Sequence, residues 1–238
     1  MKVDILAIAV HPDDIELSCS GTIAKQIALG KKVAILDLTR GELGTRGTPE
    51  TRKQEASDAA AILGVSDRVI LDLGDGFFRN TPEAQLEVIK YIRKYQPEIV
   101  LANAPYDRHP DHGRASQLVK EACFYSGLVK IETSLDGMAQ DKWRPKRVFH
   151  YIQDVHLDAD FVVDISDYID IKVQSILAYK TQFYNPDSKE PQTPISSLSF
   201  LEAVKGKDRV DGRKIGVEFG EGFISDTAIR VKNLMELI

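Results

Sequence analysis

The chain has 238 residues, 43% of them hydrophobic and 28% charged, with a net charge of −5. That length suits one α/β domain with a substantial core and is short for two domains of the usual size of about 100–200 residues each. An acidic balance supplies no field for nucleic acid or an anionic membrane, and no apolar run approaches the ~20 residues of a membrane span, so neither partner is expected.

Val3 to Val10 is an apolar run broken only by Asp4, the pattern of a strand buried on both faces of a parallel sheet. The stretch Met1-Lys2-Val3-Asp4-Ile5-Leu6 therefore reads as the opening of a strand and not as a signal peptide, and a cytoplasmic protein is expected. The strand ends at His11-Pro12, and a helix is expected from Glu16 to Leu29, closing at Gly30. Lys32 to Leu38 is a second strand, followed by a glycine-rich loop from Thr39 to Pro49. Thr48 and Pro49 supply the cap and first residue of a helix that runs to Leu63 and stops at Gly64.

Val69 to Leu73 reads as a third strand, Thr81-Pro82 opens a helix reaching Tyr95, and Glu98 to Ala102 is a fourth strand. A polar loop, Tyr106 to Asp111, leads into a helix from His112 to Ser126. Arg147 to Gln153 and Phe161 to Ile165 read as strands and Ser166 to Phe183 as a long helix, with a less regular remainder. Alternating strands and helices predict a Rossmann-like doubly wound, mostly parallel sheet with helices on both faces, forming a single domain over residues 1–238. The two cysteines, Cys19 and Cys123, sit in apolar helical contexts without C-x-x-C spacing and read as reduced, buried thiols.

In open α/β sheets ligands bind beyond the carboxyl ends of the strands. His11, Asp13 and Asp14 follow strand one, Arg40 and Glu42 follow strand two, and Asp107, Arg108, His109, Asp111 and His112 follow strand four. Imidazole and carboxylate donors without thiolate suit a catalytic zinc. His11 and Asp14, three apart across a turn, and His112 from the second loop make a His₂Asp set. Asp13 adjoins a ligand without needing to be one, which fits a general base acting on water. His109 can polarise a carbonyl or protonate a leaving amine, with Asp111 to orient it. Each piece also has an ordinary use: His-Pro as a strand terminator, Asp13 or Asp14 as a helix cap, His109 to His112 as an exposed turn. What favours a site is their convergence on one sheet edge from positions about a hundred residues apart.

At His11-Pro12-Asp13-Asp14 and Arg108-His109-Pro110-Asp111-His112 the chain resembles the LmbE-like/PIG-L zinc deacetylases. The likeness extends through Gly21-Thr22-Ile23, Asp37-Leu38-Thr39 with Gly41-Glu42, Arg52 with Glu55 and Ala56, Val163 to Ser166, Tyr179 to Phe183, and Glu221-Gly222-Phe223. The loop Gly41 to Gly47 and the Tyr179-Lys180-Thr181-Gln182-Phe183 stretch look like the bacillithiol-pathway branch, whose members remove acetate from N-acetylglucosaminyl-malate. The resemblance implies one zinc per chain, or another divalent metal such as Fe2+, on His11, Asp14 and His112. It also implies Asp13 as base, His109 held by Asp111 as acid or oxyanion partner, and Arg52 and Arg108 as substrate-binding residues. A small N-acetylglucosamine conjugate as substrate and a homo-oligomer, trimer or hexamer, are implied likewise. A tyrosine often supplied from a late loop in the family has no clear counterpart, since Phe200 stands in that region. Three rivals are weighed beside this reading. A dinucleotide-dependent dehydrogenase needs Gly-x-Gly-x-x-Gly where His-Pro-Asp-Asp stands. The others are an inactive metal-binding protein of the same fold, and a deacetylase of a mycothiol-type inositol glycoside or a simple N-acetyl sugar.

Overall fold

The computed structural model describes residues 1–237; Ile238, which the single-domain expectation also covers, lies outside the described residues. In chain order the elements are β1 (Ile5–Ala9), α1 (Asp14–Ser18), α2 (Ser20–Ala28), β2 (Val33–Asp37), α3 (Pro49–Leu63), β3 (Asp67–Ile70), α4 (Pro82–Tyr95) and β4 (Ile99–Ala102). They continue with α5 (Pro110–Tyr125), β5 (Ser134–Leu135), β6 (Met138–Ala139), β7 (Arg147–Tyr151), β8 (Phe161–Asp164), α6 (Ile169–Leu177), α7 (Leu198–Lys214) and β9 (Gly220–Ser225). Seven strands form one sheet in the order β3-β2-β1-β4-β7-β9-β8, and β5 and β6 make a separate hairpin. Strands β1, β2, β3, β4 and β7 run parallel, and β9 runs antiparallel to both β7 and β8. The mostly parallel sheet covered on both faces is the architecture the alternation predicts.

Every residue of β1 is buried, and its side chains alternate between two cores. Leu6, Ile8 and Val10 pack with Val88, Ile92, Leu118 and Val119 of α4 and α5. Ile5, Ala7 and Ala9 pack with Ile15, Cys19 and Ile23 on the other face. Because β2 and β4 flank β1, the chain winds outward in both directions from it, leaving a crevice beyond the carboxyl ends of β1 and β4.

Three differences from the sequence reading have identifiable causes. The expected helix from Glu16 to Leu29 is two helices, broken at Cys19, whose φ of −144° is not helical. The buried start of α2 is capped by Glu221, whose carboxylate accepts from the backbone amides of Gly21 (3.0 Å) and Thr22 (2.7 Å). The long helix expected from Ser166 is a short 3₁₀ turn, Ser166–Tyr168, followed by α6, which stops at Leu177. Beyond it Glu55 of α3 captures the Thr181 amide and hydroxyl at 2.7 and 2.8 Å. Third, the C-terminal stretch is more regular than expected, with α7 opened by the Ser197 cap and β9 inserted between β7 and β8.

These late elements are tied to α6 by charge. The Lys172 ammonium is fully buried and lies 2.8 Å from both Asp208 of α7 and Glu221 of β9. Lys172→Met leaves two buried carboxylates without their cation, so a stability loss of roughly 3–5 kcal/mol is expected. Urea unfolding monitored by circular dichroism checks this; a change below about 1 kcal/mol would mean the ammonium does not hold this corner together.

Candidate active site

The ends of β1 and β4 are stitched by Val10, whose amide donates to Asn103 Oδ1 at 3.0 Å. The chain then turns through His11 and Pro12. Asp13 has φ +128°, a region that residues with a side chain rarely adopt. It stands at the start of α1 yet makes no side-chain capping bond. Its carboxylate instead pairs with the buried Arg52 guanidinium, which also donates through Nε to Pro12 O at 3.2 Å. The glycine-rich loop closes over this pair: a Cβ at Gly41, where φ is +63°, would sit 3.0 Å from the guanidinium carbon.

Asp14 points the other way, toward imidazoles. Its Oδ1 is 3.2 Å from His112 Nε2 and its Oδ2 is 3.8 Å from His11 Nδ1. The rings of His11, His109 and His112 lie with centroids 4.7–5.7 Å apart. Among the described residues, two groupings bring donor atoms within 4.8 Å of one another: His11, His109 and His112, and His11, Asp75 and Asp111. Asp14 adds a carboxylate between two members of the first. Buried imidazole nitrogens and carboxylate oxygens without thiolate are a donor set that fits a divalent cation.

Burial works against charge on His11, but the carboxylates of Asp111, Asp75 and Asp14 outweigh it and push its pKa up to about 10. His112, also buried, is pushed up to about 9 by Asp14 and Asp107. Burial would raise Asp14, yet His112 and His11 hold it well below the usual carboxylate range. For Asp13 burial prevails over the Arg52 cation and lifts it to about 6. Burial and the neighbouring His11 and His112 push His109 down.

The expected residues His11, Asp13, Asp14, His109, Asp111 and His112 all stand at this crevice. Two expectations change in detail. The Asp111 carboxylate does not hold the His109 ring: its oxygens accept from Gly76 N (2.8 Å) and Arg114 (2.7 Å), and one faces His11 Nε2 at 3.6 Å. His109 is held by the Asp111 backbone amide, which donates to Nδ1 at 3.3 Å because His109 caps α5. Arg52, expected to bind substrate, is turned inward onto Asp13 and Pro12. Arg108 is exposed at the rim and pairs with Asp154.

Three residues were missed as site members, and Asp107, noted beyond strand four, was given no role there. Asn103 and Gln153 donate to Asp14 at 2.9 and 3.2 Å. Asp75 contacts His11 Nε2 at 3.0 Å, and Asp107 contacts His112 Nδ1 at 2.5 Å. All four lie beyond strand ends, the signal that picked out Asp107 and could have drawn attention to the other three.

Residues 6–123 match the family described as PIG-L: GlcNAc-PI de-N-acetylase. A diacetylchitobiose deacetylase of Thermococcus kodakarensis is 34% identical over 190 residues, covering 75% of this chain and 70% of that protein. The chain belongs to the PIG-L/LmbE-like deacetylase family. A probable N-acetyl-alpha-D-glucosaminyl L-malate deacetylase of Bacillus subtilis is 29% identical over 199 residues, covering 76% of this chain and 84% of that one. The crystal structure of a conserved Thermus thermophilus protein superposes with a TM-score of 0.84 at 38% identity, over 97% of this chain and 98% of that one. The His and Asp cluster of this family member therefore lies on a fold shared along nearly its whole length.

In the metal-free protein the raised His11 and His112 contribute stability that is complete below their ordinary pKa of 6.5 and lost as pH rises through 9 to 10. A cation taken up on these two rings would have to displace those protons. Zinc binding at pH 7 should therefore release about two protons per ion, with apparent affinity climbing to about pH 10. Titration calorimetry in buffers of different ionisation enthalpy measures the release; heats independent of the buffer would contradict it.

Proposed function

We propose that this chain is a zinc-dependent N-deacetylase that hydrolyses the acetamide of an N-acetylglucosamine conjugate. The observation that carries the reading is the divergence of two adjacent carboxylates. Asp14 faces the imidazoles of a cation-binding set, while Asp13 is buried on Arg52 with its pKa lifted to about 6. A carboxylate in that range is ionised at neutral pH and basic enough to accept a proton from water.

His11, Asp14 and His112 would hold the cation, whose chemistry when bound is to acidify a water and polarise the acetyl carbonyl. Asp13 takes the water proton as oxygen attacks the carbonyl carbon. His109 receives the Asp111 amide on Nδ1, so in its neutral form the proton resides on Nε2. From there it donates a hydrogen bond to the developing oxyanion, and the proton that Asp13 accepted passes to the departing nitrogen. Breaking the C–N bond yields acetate and a free amine, with one water consumed.

N-acetylglucosaminyl-malate is the substrate we favour, on the branch-like Gly41 to Gly47 and Tyr179 to Phe183 segments and on Arg108 at the rim, whose guanidinium suits a carboxylate. A disaccharide substrate is the second reading, supported by the 34% identity to the Thermococcus diacetylchitobiose deacetylase.

Asp13→Asn should retain bound zinc and lose about 10²–10⁴-fold in kcat, as removal of a general base requires. Acetate release should be measured on N-acetylglucosaminyl-malate, N,N'-diacetylchitobiose and N-acetylglucosamine, each with and without chelator. The reading expects chelator-sensitive turnover that is fastest on the malate conjugate. Equal rates on all three would sink the malate assignment, and chelator-insensitive turnover would sink the metal.

A further inference from the structure

His11 and His112 are each held on one ring nitrogen by a carboxylate, and on opposite nitrogens. Asp75 takes Nε2 of His11 at 3.0 Å and Asp107 takes Nδ1 of His112 at 2.5 Å. The two carboxylates are built alike. Asp75 Oδ2 accepts the Leu43 amide at 3.0 Å, leaving Oδ1 for His11. Asp107 Oδ1 accepts the Val155 amide at 2.7 Å, leaving Oδ2 for His112. In each case a backbone amide from a separate loop fixes the carboxylate, and the carboxylate fixes the ring. Asp75 itself is anchored by its own amide, which donates to Glu42 at 2.8 Å.

We propose that Asp75 and Asp107 are positioning residues that impose opposite tautomers on the two imidazoles. A cation is then offered Nδ1 of His11 and Nε2 of His112, the two nitrogens that face Asp14. This rests on the cation site proposed above. An N–H donated to a carboxylate leaves the other ring nitrogen with its lone pair free, makes the ring a more basic ligand and stops it rotating. The two ligands come from different loops, so without these carboxylates each ring has two tautomers and several orientations to lose on binding. The proposal gives the loop after β3, which carries no recognised motif, a defined task at the metal centre.

Asparagine is nearly isosteric but cannot replace either residue. Both oxygens of each carboxylate accept hydrogen bonds, and an amide has only one acceptor oxygen. Zinc affinity of D75N and D107N, measured by competition with a chromogenic chelator, should fall roughly 10–100-fold. D154N, which alters only the rim pair with Arg108, serves as the reference and should bind zinc like the wild type. Imidazole ¹⁵N NMR of the zinc-loaded wild type provides a readout that needs no variant to fold. It should show a proton on Nε2 of His11 and on Nδ1 of His112. Zinc bound to Nε2 of His11 would overturn the proposal and place the ion with Asp75 and Asp111 instead. Unchanged affinity in both variants would overturn it too, while leaving the cation site intact. A wild type that takes up no zinc would overturn the site reading and this inference together, whereas absence of deacetylation with normal zinc binding would count against the reaction alone.

Discussion

The carboxylate of Asp14 is the point on which the rest of the site depends. Its Oδ2 receives the His11 amide at 3.1 Å and the Asn103 amide group at 2.9 Å. Its Oδ1 receives Gln153 at 3.2 Å and faces His112. Those partners come from beyond β1, β4 and β7 and from the first turn of α5. A buried anion with fewer donors would be costly, so the strand ends must stay where they are. The apolar packing on both faces of β1 supplies that rigidity, since neither end of the strand can shift without opening a core.

Charge compensation continues below the site in separate units. Arg52 serves Asp13, and Arg68 forks onto both oxygens of Asp37 at 2.7 and 3.0 Å while reaching Glu16 at 2.6 Å. Lys172 lies between Asp208 and Glu221. The Arg68 fork takes both oxygens of Asp37, whereas the Lys172 ammonium bridges two acids as a point charge. Such pairs add little net stability over apolar packing, but each can be satisfied in only one arrangement of the elements it joins. Glu221 shows the effect, because it neutralises Lys172 and caps α2 at once, tying the end of the chain to its beginning.

Features encoded within a few residues were legible in the sequence. The Thr48-Pro49 and Thr81-Pro82 starts lie where expected, with Thr51 and Ala84 amides donating to the cap hydroxyls. The buried run of β1 and the placement of His11, Asp13, Asp14, His109 and His112 at strand ends were readable for the same reason. What was hidden depends on distant partners. The break at Cys19 requires Glu221, some two hundred residues away, and the end of α6 requires Glu55. The seat of α7 on β9 depends on close approach, since a Cβ at Gly212 would lie 2.8 Å from the Phe219 backbone. Asp75, Asn103 and Gln153 are single residues of common types, and only the folded geometry brings them to the histidines and Asp14. The Asp111 expectation had the right residue and the wrong group, because the motif does not reveal that His109 would cap the helix with its own ring.

The strain at Asp13 explains how neighbouring acids come to separate tasks. In a regular helical start, positions 13 and 14 would project about 100° apart into the same crevice, and two carboxylates there would raise one another's pKa. A φ of +128° swings the Asp13 side chain to Arg52 and leaves Asp14 facing the imidazoles. Holding a residue other than glycine in such a region costs about 1–3 kcal/mol. The Arg52 pair and the Leu17 amide, which donates to Asp13 O at 3.0 Å, offset it. Glycine would relieve the strain and remove the carboxylate. An unstrained aspartate would keep the carboxylate and return it to its neighbour's side. Only a strained aspartate, anchored by a cation from α3, turns one acid to the imidazoles and holds the other apart on Arg52.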